Sequence, residues 1–289
     1  MIAGSTAGSA TAEPAGSTYI LGHARHELDR LIEQARLYGD LTEQFLRAAG
    51  LARGMRVLDL GCGTGDVSFL AARLVGAEGA VIGVDRAPEA VAVARERAAG
   101  AGLGNVRFLT QDASNLALEG PVDALIGRLV LMYFPQPEAL LRRLTTIVAP
   151  GGLVAFQEMD MGGATSEPEC ALFAATGERI RQACSHAGVY PRSGLRLRQV
   201  FCRAGLPEPT LVHAAPVASG PASAAYDWLA HTVRTFLPLM ERSGTATAAE
   251  VQVETLAARL RDEAVARDAV LVLPPLVGAW ARLDGRRAR

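Results

Sequence analysis

The sequence predicts an α/β fold of the doubly wound kind, a mostly parallel sheet with helices on both faces. Three observations carry this reading. An apolar run, Val57-Leu58-Asp59-Leu60, ends in a glycine-dense turn, Gly61-Cys62-Gly63-Thr64-Gly65, and a helical pattern starts at Asp66. A second run, Val81-Ile82-Gly83-Val84, ends in Asp85, 20 residues past Gly65. Strand-like and helix-like segments then alternate as far as Glu158, a rhythm that requires parallel strands joined by crossover helices.

The elements follow in order. The first 18 residues are mostly Ala, Gly, Ser and Thr, with no basic start and no apolar centre. They read as a flexible tail, not a secretory signal. An amphipathic helix is expected over 25–38, where Leu28, Leu31, Ile32, Ala35 and Leu37 recur at helical spacing. A second runs over 40–49 and closes on Gly50. Strands are expected over 56–60, 80–85, 106–110, 122–127 and 153–158, with helices over 66–74, 88–99 and 137–148. Pro88 suits a first helical turn, with Asp85 upstream as the expected cap. Beyond Glu158 the rhythm changes. Helices are expected over 167–187 and 195–204, the latter closed by Gly205, then an extended strand over 208–217. Two more helices, 222–240 and 245–266, precede a strand-like close over 271–283, beyond Pro274-Pro275. There are no internal repeats.

Composition narrows the chemistry. At 289 residues the chain is long enough for one large core. Its net charge of −1 argues against nucleic acid or an anionic membrane as the main partner. All 29 basic residues are Arg, so this chain has no Lys for Schiff-base or Lys-nucleophile chemistry. The Arg and Ala usage suggests a GC-rich bacterial genome. Cys62, Cys170, Cys184 and Cys202 form no Cys-x-x-Cys pair and no ligand cluster with the five histidines, so no metal site is expected. Reduced thiols in a cytoplasmic protein are the expectation. The longest apolar stretch, 269–281, is interrupted by Pro274-Pro275 and is too short for a membrane span.

The glycine turn lets backbone approach a ligand closely and aims the N-terminus of the next helix at it. An acid at the offset of Asp85 accepts ribose hydroxyls. The spacing is Gly-x-Gly-x-Gly, which fits the pyrophosphate-binding form of the motif poorly. Gln111-Asp112-Ala113 ends the third strand, and a carboxylate there accepts from an exocyclic adenine amine. Asp59, Asp85 and Asp112 are therefore expected to line one crevice at the carboxyl edge of the sheet. Such a crevice suits a ligand with an ammonium group, a ribose and an adenine, and no phosphates.

These residues resemble a class I S-adenosylmethionine-dependent methyltransferase of the small-molecule type. The resemblance rests on Val57 to Gly65, on Gly83-Val84-Asp85, on 108–113, and on 144–156 with Pro150-Gly151-Gly152 inside it. It covers about residues 20–160 strongly and the rest in outline. It implies a Rossmann-like seven-stranded sheet in the order 3-2-1-4-5-7-6 with strand seven antiparallel. Residues 208–217 would be strand six and 277–283 strand seven, with a helical insertion between them. It implies S-adenosyl-L-methionine as cofactor and S-adenosyl-L-homocysteine as product. It places Gly61, Cys62 and Gly63 at the methionine moiety, Asp85 at the ribose, Asp112 and Ala113 at the adenine, and Arg86 on the adenine face. Residues 19–50, beginning Tyr19-Ile20-Leu21-Gly22-His23, would form a lid, with Gln34 reaching the cofactor carboxylate and Arg128 bracing it. Residues 51–289 would form the catalytic domain, with helices near 160–205 and 221–268 covering the acceptor.

Methyl transfer from a sulfonium is an in-line displacement, helped by positioning and desolvation. A general base matters when the nucleophile is a hydroxyl or an acidic carbon. Glu158, Tyr133 and His186 are the catalytic candidates, with His213 and His231 as weaker bases; Tyr226 and Trp228 are expected to cover the pocket. The expected partner is a small, lipophilic or secondary-metabolite acceptor attacked at O, N or C, with no nucleic acid and no membrane insertion; a homodimer is compatible with the sequence. Two other classes stay open: a protein that binds S-adenosylmethionine without methyl transfer, and a nicotinamide-dependent oxidoreductase.

Overall fold

A computed structural model describes residues 25–285 of the protein. The sequence expectations for the tail and for Tyr19 to His23 lie outside these residues.

The chain opens with helix α1 (Arg25–Ala48) and enters the alternating region through β1 (Arg56–Leu60), α2 (Asp66–Val75), β2 (Ala80–Asp85), α3 (Pro88–Gly100) and β3 (Val106–Thr110). It continues through β4 (Val122–Arg128), α4 (Pro137–Leu144) and β5 (Val148–Met159). The second half comprises β6 (Thr165–Glu167), α5 (Ala171–His186), α6 (Leu197–Ala204), β7 (Thr210–Ala214) and β8 (Val217–Ala218). It closes with α7 (Ala225–Ser243), α8 (Ala248–Val251), α9 (Val253–Ala266), β9 (Val270–Val272) and β10 (Leu276–Arg282).

The main sheet has the order β3-β2-β1-β4-β5-β10-β7. The neighbours from β3 to β5 pair in parallel, and β10 runs antiparallel to both β5 and β7. This is the order expected from the resemblance. The central strands bury both faces, as crossover-covered parallel strands must. On one face Leu58, Leu125 and Phe156 pack with Leu141 of α4 and Phe201 of α6. On the other, Val57, Ala124 and Ile126 pack with Leu70 of α2 and with Phe45 and Leu46 of α1. Beyond the sheet, α5, α7 and α9 share a separate core around Phe173, Trp228, Leu229 and Leu256.

Several boundaries differ from the sequence expectations. The two helices expected over 25–49 are one, because Tyr38, Phe45 and Leu46 keep the buried stripe in phase past Gly39. Thr42 Oγ1 also donates to the Tyr38 carbonyl at 2.9 Å, and Tyr38 Oη to the Pro274 carbonyl at 2.9 Å. α4 stops at Leu144, and β5 begins five residues before the expected strand. The helix expected from 167 starts at Ala171, after Glu167 ends a short strand and Pro168 follows. The strand expected over 208–217 divides around Pro216 into β7 and β8. β8 joins β6 and β9 in a small sheet of order β6-β9-β8 that periodicity did not reveal. The helix expected over 245–266 breaks at Gln252, whose φ is +51°.

Gly278 of β10 lies under α1: a methyl group there would overlap the Phe45 ring. Gly278→Ala is expected to destabilise the fold by about 1–3 kcal/mol, read as a lower midpoint in urea.

Candidate active site

The crevice starts where β1 ends. The Gly61 and Cys62 N–H groups donate to the Val84 carbonyl at 2.8 and 3.1 Å, so the turn leaves β1 tied to β2. Gly61, Gly63 and Gly65 have φ of +66°, +51° and +91°, a region that favours glycine. Their surroundings differ. A Cβ on Gly61 would strike Val130, and one on Gly65 would lie 2.7 Å from the Phe69 ring. A Cβ on Gly63 would meet only Leu31, at 3.9 Å. At Gly61 and Gly65 neighbouring side chains already fill the space a Cβ would take, whereas at Gly63 that space is open cavity. Cys62 lines the cavity while its side chain packs with Phe69, Val91 and Phe108, and burial pushes the thiol pKa well above the usual range.

Asp85 is clamped by backbone. Its Oδ2 accepts from the Gly63 N–H at 2.9 Å and its Oδ1 from the Ala87 N–H at 3.0 Å. A carboxylate has about four acceptor positions, so lone pairs remain for two ligand hydroxyls. The N-cap of α3 is Ala87, without a side-chain bond, so Asp85 is not the expected cap. Asp112 caps a short 3₁₀ turn over Ala113–Asn115, with Oδ1 accepting from the Ser114 N–H at 2.6 Å. Arg86, Gln111 and Ala113 line the same end of the cavity.

Asp59 departs from the expectation. It is 1% exposed and lies behind the turn, outside the cavity lining. Its Oδ2 accepts from Ser68 Oγ at 2.6 Å, and Oδ1 has no partner among the described residues. Burial raises its carboxyl to about 7. The residue points toward α2 because it shares the strand face of Val57, and alternation sends its neighbours Leu58 and Leu60 to the other side. Asp66, in the first turn of α2, lines the cavity instead, with Thr64 Oγ1 and Arg97 Nη2 donating to it at 2.7 Å each.

The opposite wall carries donors. Arg128 ends β4 and lines the cavity, with Nη1 donating to Thr42 Oγ1 of α1 at 3.0 Å. Desolvation lowers its pKa, while Asp66 and Asp59 oppose that. Gln34 is buried on α1, and its Oε1 accepts from Arg30 Nη1 at 2.8 Å. Arg30 and Leu31 also line the cavity and were missed by sequence reasoning. The signal available was the i, i+4 pairing of Arg30 with Gln34. The polar side of α1 lines the cavity.

From this polar end the cavity, about 200 Å³ in volume, continues into an apolar end. Met132, Met159 and Met161 meet Phe173 and Ile180 of α5 and Trp228, Leu229 and Phe236 of α7 there. Tyr133 belongs to this wall, half-buried in a 3₁₀ turn over Leu131–Tyr133. Trp228 covers the pocket as expected. Tyr226 does not line it; its hydroxyl donates to the Gly220 carbonyl at 3.0 Å.

Two expected bases are placed elsewhere. Glu158 is 1% exposed and does not face the crevice. Its Oε1 accepts from the Val130 and Leu131 N–H groups at 3.0 and 2.7 Å, fixing the turn that carries Met132 and Tyr133. Glu158 falls on the strand face of Phe156, toward α4 and α6, which is why it passes beneath the crevice. His186 is exposed at the end of α5, its Nδ1 2.8 Å from the Gln182 carbonyl, since the helix surface there turns to solvent. His213 is exposed on β7, and His231 Nδ1 lies 2.7 Å from Glu33 Oε2 outside the lining. Among the described residues, His, Cys, Asp and Glu form no cluster that could hold a metal.

Burial pushes the Glu158 carboxyl up to about 7, against the pull of its backbone donors. The folded state therefore binds the Glu158 proton more tightly than the unfolded chain does. That contribution to stability is present below the unfolded value of about 4.3 and is lost as pH rises through about 7. Glu158→Gln keeps an oxygen for both N–H groups, so the fall in Tm across this window should become shallower. An unchanged slope in calorimetric scans would contradict a protonated Glu158.

The residues present fit S-adenosylmethionine. Gly63 leaves space that a Cβ would fill, Asp85 and Asp112 keep free acceptors, and Arg128 supplies donors at the far side of the turn. A family model described as a methyltransferase domain matches residues 51–205. The chain is 39% identical over 129 residues to trans-aconitate 2-methyltransferase of Methylobacterium nodulans, covering 44% of this chain and 46% of that protein. It is 36% identical over 104 residues to aklanonic acid methyltransferase of a Streptomyces species, covering 36% of this chain and 47% of the other. It thus spans about half the length of these curated relatives. A crystal structure of a SAM-dependent methyltransferase from Aquifex aeolicus shares the fold, with a TM-score of 0.52 at 22% identity over 66% of this chain and 93% of that one. The family model covers more than half of the chain, including the glycine turn, Asp85 and Asp112, and the protein therefore belongs to the methyltransferase-domain family.

Proposed function

We propose that the protein transfers the methyl group of S-adenosylmethionine to an O, N or C atom of a small, lipophilic acceptor. The observation that carries this reading is one continuous cavity with two chemistries. An acid-lined end sits at the carboxyl edge of the sheet, and an apolar end lies under α5 and α7. When bound, S-adenosylmethionine supplies an electrophilic methyl on a sulfonium. Asp85 accepts from its ribose hydroxyls and Asp112 from its adenine amine, with Arg86 and Ala113 beside the ring. Arg128 and Gln34 donate to its carboxylate, and α1 with Leu31 keeps water from the reacting atoms. Tyr133 stands beside the acceptor, on a turn held rigid by Glu158.

The relatives named above act, by their names, on trans-aconitate and aklanonic acid, both acids of small-molecule size. The apolar wall favours a lipophilic acceptor for this chain.

Calorimetric titration tests the donor reading: S-adenosylmethionine should bind and NADH should not. Asp85→Ala should weaken that binding by about 1–3 kcal/mol, because buried hydroxyls and the Gly63 N–H lose their acceptor. Unchanged affinity would remove Asp85 from the donor site. Tyr133→Phe should lower turnover or raise the acceptor KM and leave donor affinity as it was. An equal loss in donor affinity would make Tyr133 part of the donor site.

A further inference from the structure

One position on the apolar wall has no side chain. Gly177 lies in the interior of α5, on the stripe of Phe173 and Ile180, four residues before it and three after, and all three line the cavity. An interior glycine weakens a helix relative to alanine, through the extra freedom it gives the unfolded chain.

The fold gives no reason for it. Gly177 is not among the residues with positive φ, so its backbone suits any side chain. Close helix packing is not the reason either. A Cβ there would meet only Arg181 Nη1, at 3.5 Å, an ordinary contact with the end of a flexible side chain. Gly278 and Gly194 behave differently: a Cβ would overlap the Phe45 ring in the first case and lie 2.7 Å from the Glu158 carbonyl in the second. The same Nη1 donates to the Met161 carbonyl at 3.4 Å and the guanidinium pairs with Glu178, so Arg181 borders this space without joining the cavity lining. What the missing side chain leaves open is cavity.

We propose that Gly177 is a specificity-determining residue that makes room for the apolar body of the acceptor, a ring-sized group lying against bare helix backbone between Phe173 and Ile180. The thioethers of Met132 and Met161 and the ring of Phe236 on the same wall adapt well to a flat aromatic or polycyclic group. The proposal rests on the functional reading above, that this end of the cavity receives the acceptor.

The test uses the full chain and the variants Gly177→Ala and Gly177→Leu. The probe is 1-anilinonaphthalene-8-sulfonate, a flat dye that fluoresces in apolar sites, titrated into protein saturated with S-adenosylhomocysteine. Gly177→Ala should raise Tm by about 2–4 °C through helix propensity alone. Both variants should bind S-adenosylmethionine as the parent does. Gly177→Leu should weaken the dye roughly tenfold or more, since its side chain fills the space the ring would occupy. Equal dye affinity in the parent and Gly177→Leu would overturn the proposal. So would a lowered Tm in Gly177→Ala, which would mean that the fold itself requires glycine, and so would a loaded parent that takes up no dye. A parent that fails to bind S-adenosylmethionine would instead bring down the functional reading beneath it.

Discussion

The hydrogen bond from the Gly63 N–H to Asp85 Oδ2, 2.9 Å long, joins the turn after β1 to the end of β2. Without it the glycine turn would be a loose connection between a strand and a helix. With it, and with the Gly61 and Cys62 N–H groups on the Val84 carbonyl, the turn has one shape. That shape keeps the Gly63 face open, starts α2 at Asp66, and leaves the spare lone pairs of Asp85 at the mouth of the cavity. A ligand meeting a carboxylate already held by two backbone donors need not order it, which is the usual advantage of a preorganised site.

Beneath the crevice lie two buried acids that do not line it. Glu158 receives the Val130 and Leu131 N–H groups, and Val130 in turn packs against Gly61. The turn that presents Tyr133 and the turn that presents Gly63 are therefore braced against each other. Asp59 performs a similar service through Ser68 of α2. Burial holds both carboxyls near neutrality, so the site rests on polar groups whose charge depends on pH.

The apolar end of the cavity has a different origin. Its walls come from α5 and α7, and Tyr38 of α1, outside the lining, meets Trp228 edge-on at 5.7 Å. α1 reaches the sheet by Phe45 and the helical cover by Tyr38, and it lines the cavity with Arg30, Leu31 and Gln34. Residues far apart in the chain meet there because α5, α7 and α9 bury their apolar faces on each other and leave the sheet edge to the cavity.

Local signals in the sequence determined the alternating core. The apolar runs, the glycine turn and the spacing to Asp85 and Asp112 are short-range features, and the structure keeps each of them within a few residues. Strand faces were not legible to the same degree. Asp59 and Glu158 sit at strand ends where a crevice would be, yet alternation sends one under α2 and the other toward α4 and α6. Which face a strand presents depends on its neighbours, and no single segment states that. The same holds for α1: Gln34 was legible only through the family resemblance, and Arg30 beside it only once the helix is seen lining the cavity. The sequence by itself determined an acid-lined crevice at the edge of a parallel sheet. Only the tertiary structure decided which side chains face it and what shapes its apolar end, because those are set by long-range packing between helices that carry no local mark of their partners.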